Sequence, residues 1–205
     1  MRRVLVLFAH PVLERSRVNR RLVAAIRDVE HVTIHDLYDV YPTSSINVAR
    51  EQELLASHDV IVFQHPFYWY SVPSILKEWQ DLVLEHGWAY GVGGTRLRDK
   101  ITLNAITTGG PAQAYQKGGY NRYTVRELLA PWEQTANLCG MRYLAPFTVH
   151  AALRIASDDD VSRRREDYRR LVVALRDDRL DLERAARGEN LADELDTLMT
   201  PREVA

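Results

Sequence analysis

Residues 64–79 read QHPFYWYSVPSILKEW. The run before them, Val60-Ile61-Val62-Phe63, is short, continuously apolar and rich in β-branched residues. That is the mark of a strand buried on both faces, as strands of parallel sheets are. After Ser71-Val72-Pro73, the apolar residues Ile75, Leu76, Trp79, Leu82 and Val83 recur at helical spacing. Between strand and helix lie His65-Pro66 and four successive aromatics, Phe67, Tyr68, Trp69 and Tyr70. Strand, loop and helix in this order form the repeating unit of an α/β sheet. The aromatic loop falls at the carboxyl end of the strand, where such sheets bind ligands.

The same alternation extends in both directions. Val4 to Ala9 reads as a first buried strand, followed by a helical pattern from Ser16 to Val29. Val32 to Leu37 is a second strand, and Asn47 is placed to cap a helix through Leu54-Leu55. Ile101 to Ile106 is a fourth strand. Thr124 to Leu138 is helical with a kink expected at Pro131, and Tyr143 to Val149 is a fifth strand. Tyr168, Leu171, Val172 and Leu175 mark the last helix of the core. Five strands alternating with helices predict an α/β fold with a doubly wound, five-stranded parallel sheet in the order 2-1-3-4-5.

With 205 residues, the chain is long enough for one domain with a proper core. The predicted division is a domain over residues 1–178 and a charged, helical C-terminal extension over 179–205. In that extension Leu191, Leu195 and Leu198 share one helical face, which suits either a solvated tail helix or an arm laid on a partner subunit. A net charge of −1 gives no general attraction to nucleic acid or anionic lipid. The single cysteine, Cys139, allows no intrachain disulfide, in keeping with a cytoplasmic chain, and reads as inert core. The apolar run at the N-terminus is too short for a signal peptide, and no run approaches the ~20 residues of a membrane span. The histidines show no ligand spacing such as HExxH, so no metal site is expected.

With the order 2-1-3-4-5 the winding reverses between strands one and three, which places the site at the loops after Ala9, Phe63 and Ile106. The first loop offers His10, Ser16, Arg17, Val18 and Asn19, a cradle of donors and positive charge suited to a phosphate. The second offers the walls Phe67, Tyr68, Trp69 and Tyr70. The third, Thr107-Thr108-Gly109-Gly110, contains paired glycines that let a backbone approach a ligand closely. A planar heterocycle bearing a phosphate fits all three, and flavin mononucleotide (FMN) is the leading candidate. FAD stays open as an alternative; FMN is favoured because no second phosphate loop is evident for an adenylate.

The segments LFAHP, SRVNRRL, HDLYDVYP, EQELLASHDVIVFQHPFYWYSVPSILKEW, HGWAYGVGGTRLRDK and TTGGP occur in an order and spacing that resemble the flavodoxin-like NAD(P)H:quinone oxidoreductases. Within them the chain is most similar to the ancillary proteins of glutathione-regulated potassium-efflux systems. The resemblance covers roughly residues 4–178. It implies a flavodoxin-like fold, a cytoplasmic flavoprotein enzyme, NAD(P)H as electron donor and two-electron hydride transfer to a quinone. It also implies a role for Tyr115 near the flavin ring and the substrate, and a homodimer whose interface closes the pocket, with Trp88 and Tyr90 near the boundary. An alternative implied role is regulatory: an ancillary subunit docked on a potassium-efflux antiporter at the inner face of the cell membrane. There are two departures, of which the second favours the ancillary branch. Tyr68 stands where many members have Gln, and Gln116 to Asn121 lacks the His that quinone reductases often place shortly after the tyrosine.

Overall fold

The computed structural model describes residues 1–154 and 158–200. A parallel sheet forms its centre. β1 (Val4–Phe8) leads through a short 3-10 turn at Leu13–Arg15 to α1 (Asn19–Ala24). β2 (Val32–Asp36) is followed by α2 (Leu37–Val40) and α3 (Val48–Ala56), and β3 (Val60–Pro66) by a second 3-10 turn at Tyr68–Tyr70 and α4 (Ser74–Val83). β4 (Ile101–Thr107) leads to a third turn at Ala112–Ala114, then to α5 (Val125–Leu128) and α6 (Ala130–Leu138). β5 (Arg142–Tyr143), β6 (Phe147–Val149), α7 (Asp158–Arg176), α8 (Leu182–Arg187) and α9 (Leu191–Leu198) complete the chain. The strand order is β2-β1-β3-β4-β5, as expected, and β6 also pairs with β4. Val4 lies opposite Val32 on one side and Val60 on the other, and Val60 lies opposite Ile101.

The single fifth strand expected over Tyr143–Val149 is two short ones, β5 and β6, both parallel to β4. The cause is local. Pro146 has no N–H to give to a ladder, and the Ala145 N–H leaves the sheet to donate to Ala185 O at 2.9 Å. The long helix expected over Thr124–Leu138 likewise divides at Leu129, two residues before Pro131. The first helix is shorter than its apolar pattern suggests. Ser16 Oγ accepts the Asn19 N–H at 3.0 Å, so the helix begins at Asn19. Arg169 draws the Ala25 carbonyl and the Asp28 carboxylate into side-chain hydrogen bonds at its other end.

Alternate strand residues feed two cores. Val4, Val6, Val60, Val62 and Leu103 pack on the side of α1 and α7. Leu5, Leu7, Ile61 and Phe63 pack with Leu55, Trp79 and Trp132 from α3, α4 and α6. In this second core Glu51 is completely buried and accepts from Tyr41 Oη (2.6 Å), Trp79 Nε1 (2.8 Å) and His35 Nε2 (2.9 Å). Three donors compensate the loss of water around the carboxylate, and together they outweigh burial and hold its pKa below the usual carboxylate range.

The C-terminal segment is neither a solvated tail nor an arm with its apolar stripe turned outward. Leu180, Ala185, Leu191, Leu195 and Leu198 are buried in the core shared with β1, β3 and α7. The segment also covers the edge of the sheet. Leu191 N–H donates to Pro146 O at 2.9 Å, Asn190 Oδ1 accepts from Thr148 N–H at 2.8 Å, and Asn190 Nδ2 donates to Thr148 O at 3.3 Å. A covered edge presents no free ladder for another chain to pair with. Residues 201–205 of the expected extension lie outside the described residues. Among the described residues no helix is long and apolar enough to cross a membrane.

Candidate functional site

The loops after β1, β3 and β4 meet at the carboxyl edge of the sheet around an open crevice of about 610 Å³, within the usual range for a small-molecule site. His10, Ser16, Arg17, Val18 and Asn19 form one wall, Phe67, Tyr68 and Trp69 a second, and Thr107, Thr108 and Gly109 the floor. Ala152 and Leu153, from the segment after β6, close the far side. Tyr70, Gly110 and Tyr115 do not line this crevice. They stand beside it, in a cluster reached through Phe67, whose ring lies 6.5 Å from that of Tyr70 and 6.3 Å from that of Tyr115.

Two buried hydrogen-bond chains hold the loops in register. In the first, Tyr168 Oη donates to Gln64 Oε1 at 2.9 Å, Gln64 Nε2 reaches Asn19 O at 3.4 Å, and Asn19 Nδ2 donates to Thr107 Oγ1 at 2.9 Å. In the second, Tyr143 Oη donates to Asn104 Oδ1 at 2.7 Å, and Asn104 Nδ2 lies 3.2 Å from His65 Nε2. His65 Nδ1 lies 3.0 Å from Pro66 O. A carbonyl only accepts, so His65 carries its proton on Nδ1 and receives the Asn104 amide on Nε2. Complete burial lowers its pKa to about 4, so this ring is neutral.

These contacts change the roles of two residues read from the sequence. Ser16 Oγ accepts the Asn19 N–H and keeps its own O–H as a donor at the crevice, whereas Asn19 turns its side-chain amide to Thr107 and acts chiefly as a brace. His10 adds no positive charge to the cradle. Burial lowers its pKa, and its Nδ1 accepts the Val12 N–H at 3.2 Å, which leaves Nε2–H as a neutral donor. The amides of Arg17, Val18 and Gly109 have no partner among the described residues, whereas the Gly110 amide faces the Tyr115 hydroxyl. The first three are the backbone donors left to a ligand. In the aromatic loop the Phe67 N–H is taken by Thr107 O at 2.8 Å, so Phe67 contributes its ring rather than its amide. Trp69 (φ 51°) and Tyr70 (φ 60°) are both left-handed, a conformation that costs such residues roughly 1–2 kcal/mol each. The strain sets the Trp69 side chain, 92% exposed, at the rim.

Tyr115 is half-buried. Burial raises its hydroxyl pKa, so it stays protonated and can donate. Beside it stands a residue that the sequence did not bring forward: His150, at the end of β6, whose ring centroid is 5.6 Å from that of Tyr115. His150 follows the short strand broken at Pro146, and its only legible signal was a polar residue at the carboxyl end of a strand. Asn121 is another, accepting from Tyr70 Oη at 3.0 Å. Cys139 is buried and burial raises its thiol pKa, which makes it unreactive.

Residues 2–172 match the family model described as flavodoxin-like fold. The chain is 50% identical over 152 residues to the glutathione-regulated potassium-efflux system ancillary protein KefG of Serratia proteamaculans, covering 74% of this chain and 83% of that protein. The structure of general stress protein 14 from Treponema denticola in complex with FMN superposes with a TM-score of 0.81 at 39% identity, covering 84% of this chain and 99% of that one. An NADPH-quinone reductase from P. pentosaceus superposes with a TM-score of 0.76 at 34% identity, covering 82% and 96% respectively. With its strand order, its crevice at the switch point and these likenesses, the chain belongs to the flavodoxin-like NAD(P)H oxidoreductase family.

Proposed function

We propose that the chain binds FMN in the crevice and uses it to pass a hydride from NAD(P)H to a quinone or a similar electrophile. The observation that carries this reading is the convergence, at one switch point, of the unpaired amides of Arg17, Val18 and Gly109 with the aromatic wall of the second loop. The residues present fit the group. A Cβ built on Gly109 would meet only Leu153 Cδ1, at 3.7 Å, so the floor there is open. The relative with FMN bound is a close structural match. FMN is favoured over FAD because among the described residues the crevice offers one phosphate cradle.

Bound FMN supplies a ring able to take up a hydride from the nicotinamide and give it to the acceptor. The residues of the chain do the rest. Arg17 and the loop amides neutralise and hold the phosphate, as backbone donors and positive charge do at such loops. The Gly109 amide would donate to a bound ring and so stabilise the negative charge it gains on reduction, the main means by which a protein tunes a flavin. Phe67 and Trp69 would wall the ring on one side. Tyr115, kept protonated by burial and standing beside the crevice behind Phe67, would be the donor to an acceptor that reaches past that ring. The test is a titration of the purified chain with FMN and with FAD, followed by NADPH oxidation with a soluble quinone. Saturable FMN binding and quinone-dependent turnover are expected; the absence of flavin binding would overturn the reading.

We further infer a homodimer with Trp88 and Tyr90 near the boundary, both partly buried in the Gly87–Gly91 loop of each chain. A second role is favoured by the identity to KefG. In it the same flavoprotein works in the cytoplasm and docks on a potassium-efflux antiporter at the membrane's inner face. Co-purification with such an antiporter from a detergent extract is the expected outcome. Normal quinone turnover without any co-purification would leave the enzyme reading alone.

A further inference from the structure

The turn Thr108–Gly110 is stapled from behind by the end of β6 and the segment that follows it. Thr108 N–H donates to Val149 O at 3.0 Å, Ala152 N–H to Thr108 O at 2.9 Å, and Ala151 N–H to Gly110 O at 2.9 Å. The last bond requires Ala151 to adopt a left-handed backbone (φ 53°). Side chains repeat the pattern. Thr108 Oγ1 lies 2.8 Å from Gly110 O and 3.1 Å from His150 Nδ1. A hydroxyl has one proton, and Gly110 O can only accept. The Thr108 proton therefore goes to Gly110 O, and His150 supplies its own from Nδ1. This defines the tautomer: Nδ1–H points to Thr108, and Nε2 keeps a lone pair. Burial holds the ring neutral against the pull of Asp193. The His150 ring also packs against Tyr115, and Tyr115 in turn presses on Gly110, where a Cβ would come within 3.2 Å of Tyr115 Cε2. Two residues earlier, Asn190 clamps both backbone groups of Thr148, so the C-terminal segment anchors the strand that carries His150.

We propose that His150 is a positioning residue of the site: through Thr108 it holds the Gly110 carbonyl turned away from the crevice, which fixes the turn so that the Gly109 amide is left for the ligand, and through ring contact it sets the angle of Tyr115. The proposal rests on the reading that the crevice holds FMN.

The test compares His150→Phe, which keeps a ring but loses the Nδ1–H, with His150→Asn, whose amide can replace that donor. FMN affinity is read by fluorescence titration, and folding by circular dichroism. His150→Phe is expected to weaken FMN by ~10-fold, the scale of one hydrogen bond, with His150→Asn within about 3-fold of wild type. Thr108→Val should match His150→Phe, and the double variant should lose nothing further, because both cut the same chain. Nitrogen NMR of the flavin-free protein should show His150 protonated on Nδ1. Wild-type FMN affinity in His150→Phe would overturn the role of His150 and leave the FMN reading intact. An Nε2–H tautomer in the flavin-free protein would overturn it whatever the variants do. Failure of the wild type itself to bind FMN would overturn the functional reading, and this proposal with it.

Discussion

Gly109 and Tyr115 sit beside the same turn and separate binding from chemistry. Gly109 has ample room in the folded chain, its Cβ position being 3.7 Å from the side chain of Leu153. Gly109→Val should therefore fold normally and lose FMN by at least ~10-fold, because its bulk enters the space a bound ring needs. Tyr115→Phe should keep FMN and slow flavin reduction by NADPH by ~10-fold, about 1.4 kcal/mol of barrier. Stopped-flow reduction and flavin content check both; full retention of flavin in Gly109→Val would place the wrong turn against the ring. His65 makes a prediction about pH. The unfolded chain protonates this imidazole near pH 6.5, the folded chain only near 4. Between those values the unfolded state binds more protons, so stability falls as the pH is lowered, by on the order of 3 kcal/mol across the window. His10, His58 and His150 shift in the same direction, so the His65 share is the difference in slope between wild type and His65→Gln. Urea unfolding at several pH values measures it, and equal slopes would show that His65 titrates in the folded state.

At the scale of elements, the fate of the C-terminal segment carries the most consequence. Leu191, Leu195 and Leu198 on α9 fill the core against α7 and β6. Leu195→Ala should cost ~2–5 kcal/mol, as truncations of buried leucines do, and urea unfolding measures the loss. A change below ~0.5 kcal/mol, the range of exposed positions, would mean that α9 does not dock. The broken fifth strand belongs to the same account. β5 and β6 are short because Pro146 lacks a donor and because Ala145 and Thr148 are hydrogen-bonded by Ala185 and Asn190 of the C-terminal segment rather than by a further strand.

For the whole molecule, the expected dimer makes the clearest prediction. The Gly87–Gly91 loop keeps Trp88 and Tyr90 only partly covered, and Val92 next to it is 90% exposed. Aromatic side chains anchor interfaces, and a standard interface holds at tens of micromolar or below. Light scattering at roughly 20 µM should give twice the chain mass for the wild type. Trp88→Ala should shift the balance toward monomer; a wild-type monomer at that concentration would remove the interface from the model of the site.

The strands and their order were largely legible in the sequence because they follow from local pattern. Val4–Phe8, Val60–Phe63 and Ile101–Ile106 are continuous apolar runs between helical stripes, and parallel strands so joined can wind only in a few ways. The three loops followed from that topology. What the sequence could not show was how side chains spend their hydrogen bonds. That Asn19 braces Thr107 and that His150 stands beside Tyr115 depend on contacts between residues far apart in the chain. The C-terminal leucines made the same point on a larger scale. Their spacing announced an apolar face, but periodicity says only that a face must be buried, and the tertiary structure alone decided that this chain buries it against its own sheet.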